Sequence, residues 1–403
     1  MQTKLLVTII GIFILIAVAV LGVFFYLGSQ TPQVVDLGET RNGNPIFPFG
    51  DTSAPVVNKP IKQNTDTGYT NDGLALQKIS ESPIAGAVIF NQGSTSITRY
   101  VERGTGHVYE KNLGEGASRR ISNTTIPKIY EALWTSDGQN VVIRYLNDDT
   151  EAIRTFVAKF GKSTSTEAPP LEGVFLEESI KSLATLGKKI IYAVADQTSG
   201  RIFTVNPDGT KKTLLMSSPF GSWLVGGAAS LGLIQSKPSA FAPSVVFTAT
   251  LDGSKTTKLN GGAAGLSTLL NPLSTMALES QTGGGEVGLY IFDIKKSTLK
   301  KLPIATLAEK CTWSSAKKTL VYCAVPSYFP GGNYPDDWYQ GSISFNDDIW
   351  SLDIETGETE VIFKPSSIGA RADIVNILVD QRDHFLMFTS RDTNTLWSLD
   401  LTR

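Results

Sequence analysis

Apolar and polar positions alternate with period two along most of this chain from residue 74 onward, in short runs separated by turns rich in Gly, Asn, Asp and Ser. That period belongs to β-strands with one face buried. One version of the pattern, a β-prone run centred on an aromatic and followed by a polar turn, occurs seven times. The copies centre on Tyr109, Phe156, Phe203, Phe247, Tyr290, Trp350 and Trp397, with spacings of 47, 47, 44, 43, 60 and 47 residues. A near-constant period of this size marks a stacked or circular repeat, and strand-like copies predict a β-propeller with one blade per copy.

The flanks of each copy supply the rest of a blade. EALWT and NVVIRYL flank Ser136-Asp137-Gly138, KSLAT and KIIYAVAD flank Leu186-Gly187-Lys188, and IVNILVD and HFLMFTS flank Gln381-Arg382-Asp383. Polar runs such as KTTKL and ETEVIF follow the aromatic strands. Each unit therefore reads as four antiparallel strands. The last copy, LWSLDLTR, has no fourth strand after it, whereas LALQKIS (Leu74–Ser80) precedes the first unit unused. Adding LALQKIS to the last blade predicts an all-β, seven-bladed propeller closed by N- and C-terminal strands, and closure would pair an otherwise open edge. An open or eight-bladed ring is the alternative.

Residues 5–27, LLVTIIGIFILIAVAVLGVFFYL, break the alternation with an uncharged apolar run. As a helix it would cover roughly 34 Å, enough for a hydrocarbon core of about 30 Å. Ala17-Val18-Ala19 resembles a signal-peptidase site, yet apolar residues continue through Leu27, so an uncleaved transmembrane signal anchor is expected. Lys4 lies before the span and no basic residue follows it until Arg41, which predicts a short cytoplasmic end at residues 1–4 and everything after the span outside the cytoplasm. Residues 28–73 are rich in Pro, Gly, Asn and Thr and read as a flexible linker, with IFPFG (Ile46–Gly50) as an apolar island. The propeller then occupies 74–403.

Several copies resemble the WD-repeat-like propellers of the bacterial TolB type. The matching residues are Trp134-Thr135-Ser136-Asp137-Gly138, Trp313-Ser314-Ser315 and Trp350-Ser351-Leu352-Asp353-Ile354-Glu355-Thr356-Gly357. The resemblance implies fold far more than function. The Asp or Asn three residues after the aromatic, as in Asn206 and Asp293, suits a turn-setting role through bonds to nearby N–H groups.

A net charge of −2 offers no basic field, so nucleic acid is not expected as a partner. The two histidines, His107 and His384, lie far apart in sequence and do not suggest an imidazole metal site. G-x-G-x-x-G occurs at Gly283–Gly288, but it leads into a strand and reads as a loop between blade strands. Acidic pairs at Asp148-Asp149, Asp336-Asp337 and Asp347-Asp348 read as solvated turns; calcium is the one cofactor they leave open. Cys311 and Cys323 fall on two strands of one hairpin, where they form either a disulfide or two buried thiols.

The 60-residue spacing marks an insert in the sixth unit, Val325–Asp348, between its second and third strands. It carries Tyr328, Phe329, Tyr334, Trp338, Tyr339 and Phe345, and aromatic-rich ordered loops are often binding elements. The competing reading is a lid packed over the channel or the next blade. Together these features lead us to expect a noncatalytic, membrane-tethered, extracytoplasmic scaffold that holds a protein or envelope component. A carbohydrate-binding or glycan-processing propeller is the alternative.

Overall fold

Strand pairing follows the repeats. The computed structural model describes residues 69–71, 74–147, 150–160, 168–196, 198–228 and 230–402. Six four-stranded antiparallel sheets span 84–120, 129–175, 180–218, 223–264, 267–301 and 311–363, and a seventh sheet has five strands. We number these blades 1 to 7 in chain order. Every aromatic repeat forms the third strand of its blade, from Val108–Asn112 in blade 1 to Leu396–Asp400 in blade 7.

Blade 7 combines both parts of the described chain. Strand Leu74–Lys78 pairs antiparallel with Leu396–Asp400 in the register Leu76↔Leu399, Gln77↔Ser398 and Lys78↔Trp397. The ring is thus closed as the repeat pattern requires. A further strand, Tyr69–Asn71, adds to the outside of Leu74–Lys78, so β-structure begins within the segment that reads as linker. A side-chain latch joins blades 7 and 1 at the turns between their first and second strands. Asp380 accepts from Ser96 Oγ (2.8 Å) and Asn91 Nδ2 (3.2 Å), and Arg382 donates to the carbonyls of Gly93 (2.6 Å) and Ser94 (3.2 Å).

Blades pack face to face through apolar rows set by strand alternation. Between blades 5 and 6, for example, Leu278, Leu289, Trp313, Val321 and Leu352 are buried together. The inner strands come so close that a Cβ on Gly86 of blade 1 would lie 1.8 Å from the Ala132 carbonyl oxygen of blade 2. Inside the ring, the first strands of blades 1, 2, 3, 6 and 7 line a channel with a cavity of about 480 Å³.

Among the described residues no helix is long and apolar enough to cross a membrane. The apolar run 5–27, the island 46–50 and Asp148-Asp149 lie outside the described residues.

Candidate functional site

In a meander of four antiparallel strands, the connection from second to third strand and the connection to the next blade emerge on the same face of the ring. The blade 6 insert therefore meets the segments that lead into blades 6 and 7. The first of these holds a short 3-10 turn, Ala308–Lys310, and the second ends at Asp373.

The insert is a packed cap. Tyr334, Trp338 and Phe345 are buried with Val287 of blade 5 and Leu307, and Phe329, Tyr339 and Ile343 pack around them half-buried. Phe345 stands at the centre, with ring centroids 5.4 Å from Phe329, 5.6 Å from Tyr334 and 6.0 Å from Trp338. A one-turn helix, Asp336–Tyr339, directs Trp338 inward. Three further blades hold the cap down. Asp336 Oδ2 accepts from the Ala240 N–H of blade 4 at 2.7 Å, Thr282 of blade 5 donates to the Tyr334 carbonyl at 2.8 Å, and Arg391 of blade 7 donates to the Trp338 carbonyl at 2.7 Å.

Beneath the cap lies a fully buried ion cluster. Lys310 Nζ is 2.6 Å from Asp373 Oδ1 and 2.8 Å from Asp347 Oδ2, and it faces the Trp338 and Phe345 rings at 4.9 and 5.0 Å. Asp373 also accepts from Trp338 Nε1 at 2.8 Å and the Phe345 N–H at 3.2 Å, with Arg391 at 3.5 Å. The two aspartates differ in their surroundings. Burial alone would raise the Asp373 carboxyl, but Lys310, the indole and the backbone donor outweigh it and hold it below the ordinary carboxylate range. Asp347 shares Lys310 and has the Ile374 N–H, but its second oxygen has no donor among the described residues, so burial pushes it up to about 6.

Glu309 points into the channel and accepts from Tyr339 OH at 2.7 Å. Its side chain is exposed to the channel, and the surrounding channel wall raises its carboxyl pKa. None of the residues lining the channel cavity is basic.

The sequence-derived candidates divide sharply. Tyr334, Trp338 and Phe345 are interior and present nothing to a partner; Phe329 and Tyr339 are half-buried; Tyr328 alone stands out, 63% exposed. The insert thus packs as a lid, with three of its six aromatics buried and only Tyr328 standing exposed. Asp347, read as a solvated turn, is fully buried; Asp336 and Asp337 are cap-forming acceptors, Asp337 taking the Asn333 N–H at 2.7 Å. Cys311 and Cys323 are directly opposed in register and joined in a disulfide, with Cα atoms 4.0 Å apart. Within Gly283–Gly288, Gly284 and Gly285, both at positive φ, form the turn between the second and third strands of blade 5, and the other four residues are paired in those strands. His107 is half-buried beside Thr125, and His384 is exposed in a blade 7 turn. Among the described residues no three His, Cys, Asp or Glu side chains converge as a metal site.

Two strongly exposed aromatics on connections of the ring escaped the sequence reading. Phe220, on the connection from blade 3 to blade 4, is 70% exposed, and Phe241, between the second and third strands of blade 4, is 74% exposed. Both emerge on the capped face, as does Tyr328. Their signal was a large apolar residue in an otherwise polar connection, SSPFGS and KPSAFAPS.

No family model and no curated protein matches the chain. Solved structures do. An oligogalacturonate lyase from Vibrio parahaemolyticus superposes over 83% of this chain and 95% of its own, with a TM-score of 0.52 at 10% identity. The β-propeller domain of the Trilobed protease from Pyrococcus furiosus, described as having an open velcro topology, covers 80% of this chain and 97% of its own, with a TM-score of 0.50 at 12% identity. TolB from Acinetobacter baumannii covers 82% and 66%, at 10% identity and a TM-score of 0.41. At these identities the likeness is one of fold alone, that of a β-propeller, here with seven blades.

Proposed function

We propose that this chain is a membrane-anchored, extracytoplasmic propeller that binds a protein partner noncatalytically through its capped face. The observation that carries the reading is the set of three large aromatics, Phe220, Phe241 and Tyr328, left 63–74% exposed on connections of that one face. Aromatics are the favoured anchors of protein interfaces, and solvating them singly serves no packing purpose. The apolar run Leu5–Leu27 supports anchoring, and the disulfide supports a location outside the reducing cytoplasm. The ionisable groups beneath the cap support a noncatalytic role, since Lys310, Asp373 and Trp338 are consumed in bonds that hold the cap.

The test is photocrosslinking in intact cells of the full chain, with and without the changes Phe220→Asp, Phe241→Asp and Tyr328→Asp combined. The reading expects a discrete crosslinked species that the triple variant loses while its thermal unfolding stays within a few degrees of the parent. An undiminished species would sink it. The glycan alternative rests on the channel cavity, whose size lies within the range of small-ligand sites. Binding on a glycan array that survives the triple substitution but is lost on Glu309→Gln would favour it.

A further inference from the structure

Glu279 is a buried carboxylate with no basic partner among the described residues. It lies on the second strand of blade 5, directly opposite Thr268 on the first, and is 0% exposed. Alternation sends Ala277 and Leu270 into the apolar contact with blade 4, so Glu279 and Thr268, two residues further along their strands, face blade 4 as well. From blade 4, Gln235 and Asn260 oppose Val246 in register, and Val246 belongs to the same contact; Ser244, two residues before Val246 on its strand and likewise buried, falls on that side by alternation. Two hydrogen bonds confirm that the rows meet. Gln235 Oε1 accepts from the Thr268 N–H at 3.1 Å, and Asn260 Nδ2 donates to Glu279 Oε2 at 2.7 Å.

Three oxygens at this junction have no partner among the described residues: Glu279 Oε1, Thr268 Oγ1 and Ser244 Oγ. All belong to residues at least nine-tenths buried, with exposures of 0, 7 and 2%. Gln235, 8% exposed, adds a carbonyl oxygen with a second lone pair to spare. Both donors that Glu279 does have, Asn260 and Gln281, go to Oε2. The basic residue nearest along its row, Lys301, lies beyond Tyr290 and is exposed. Interior carboxylates and hydroxyls left bare are costly, and a set made only of oxygens suits hard cations.

We infer that blades 4 and 5 hold a hard cation, calcium or sodium, between them, with Glu279 Oε1, Thr268 Oγ1, Ser244 Oγ and Gln235 Oε1 as its protein ligands. A single carboxylate among neutral oxygens makes the site weak, in the manner of extracellular cation sites, and its effect is to clamp two neighbouring blades.

The experiment is thermal unfolding of the full chain at pH 8 in choline chloride with EDTA, titrated in separate arms with calcium beyond the chelator and with sodium. At a hundredfold excess over its dissociation constant, the bound ion raises the melting temperature by about 4 °C, and the arm that responds identifies the ion. Glu279→Gln keeps the shape and loses this shift. Should that variant fail to fold, Thr268→Val retains the carboxylate and weakens apparent ion affinity at least tenfold. Flat titrations in both arms, a shift that persists in Glu279→Gln, or an affinity unchanged by Thr268→Val would each overturn the inference.

Discussion

Lys310 shows how much one residue can depend on distant chain. Its ammonium is fully buried and neutralised by Asp347 and Asp373, 37 and 63 residues further on. Removing one member of such a cluster leaves the others charged in a medium that solvates them poorly, which costs on the order of 3–5 kcal/mol. The exposed pair Lys78–Glu81 has the same chemistry in water and is worth under about 1 kcal/mol. Lys310→Met is therefore expected to lower unfolding free energy by about 3–5 kcal/mol in urea titrations, and Lys78→Met by less than about 1. Equal effects would show that the cluster is not the anchor described. None of this was legible in the sequence, because KCTW reads locally as strand and Asp347-Asp348 as a polar turn. Which of two adjacent aspartates is buried is decided by a strand that arrives from another blade.

At the scale of elements, the blade 6 insert was legible as an insertion and not as a cap. The long spacing located it, but an aromatic-rich composition is common to lids and to interfaces, and only the neighbours distinguish them. Here Trp338 has its ring against Phe345 and Lys310 and its N–H on Asp373, whereas Tyr328, ten residues earlier, has neither cover nor a comparable set of partners. Truncating a buried Trp typically costs about 3–5 kcal/mol, while an exposed side chain is worth within about 0.5 kcal/mol. Trp338→Ala should thus lower the melting temperature by several degrees or more, and Tyr328→Ala should leave it nearly unchanged while weakening partner capture. A stable Trp338→Ala protein would mean that the cap is ornamental to the fold. The Cys311–Cys323 hairpin beside it was readable as a facing pair; its oxidation state was not, since register alone admits thiols as well as a bridge.

For the whole molecule, blade count and closure came directly from repetition: seven aromatic strands, one missing outer strand at the end and one spare strand at the start. The extra strand Tyr69–Asn71 was invisible because three polar residues carry no period. Closure is also where a ring of repeats is most vulnerable. Every other blade is made from continuous chain, with no more than 20 residues between successive strands, whereas Leu74–Lys78 joins Leu396–Asp400 across more than 300 residues of sequence. Loop entropy favours its release, and its hold comes from a few backbone bonds, the burial of Leu76 with Ile374, Leu386 and Leu399, and Leu396 N–H bonded to Ser80 Oγ at 2.9 Å. A charge placed in that apolar cluster should open the seam before it unfolds the ring. Hydrogen exchange read by mass spectrometry is expected to show strand Leu396–Asp400 protected in the parent protein and rapidly exchanging in Leu76→Asp, with Asn140–Leu146 of blade 2 protected in both. Protection of Leu396–Asp400 that survives the substitution would place the closing strength elsewhere, in the Asp380 and Arg382 latch that ties blade 7 to blade 1.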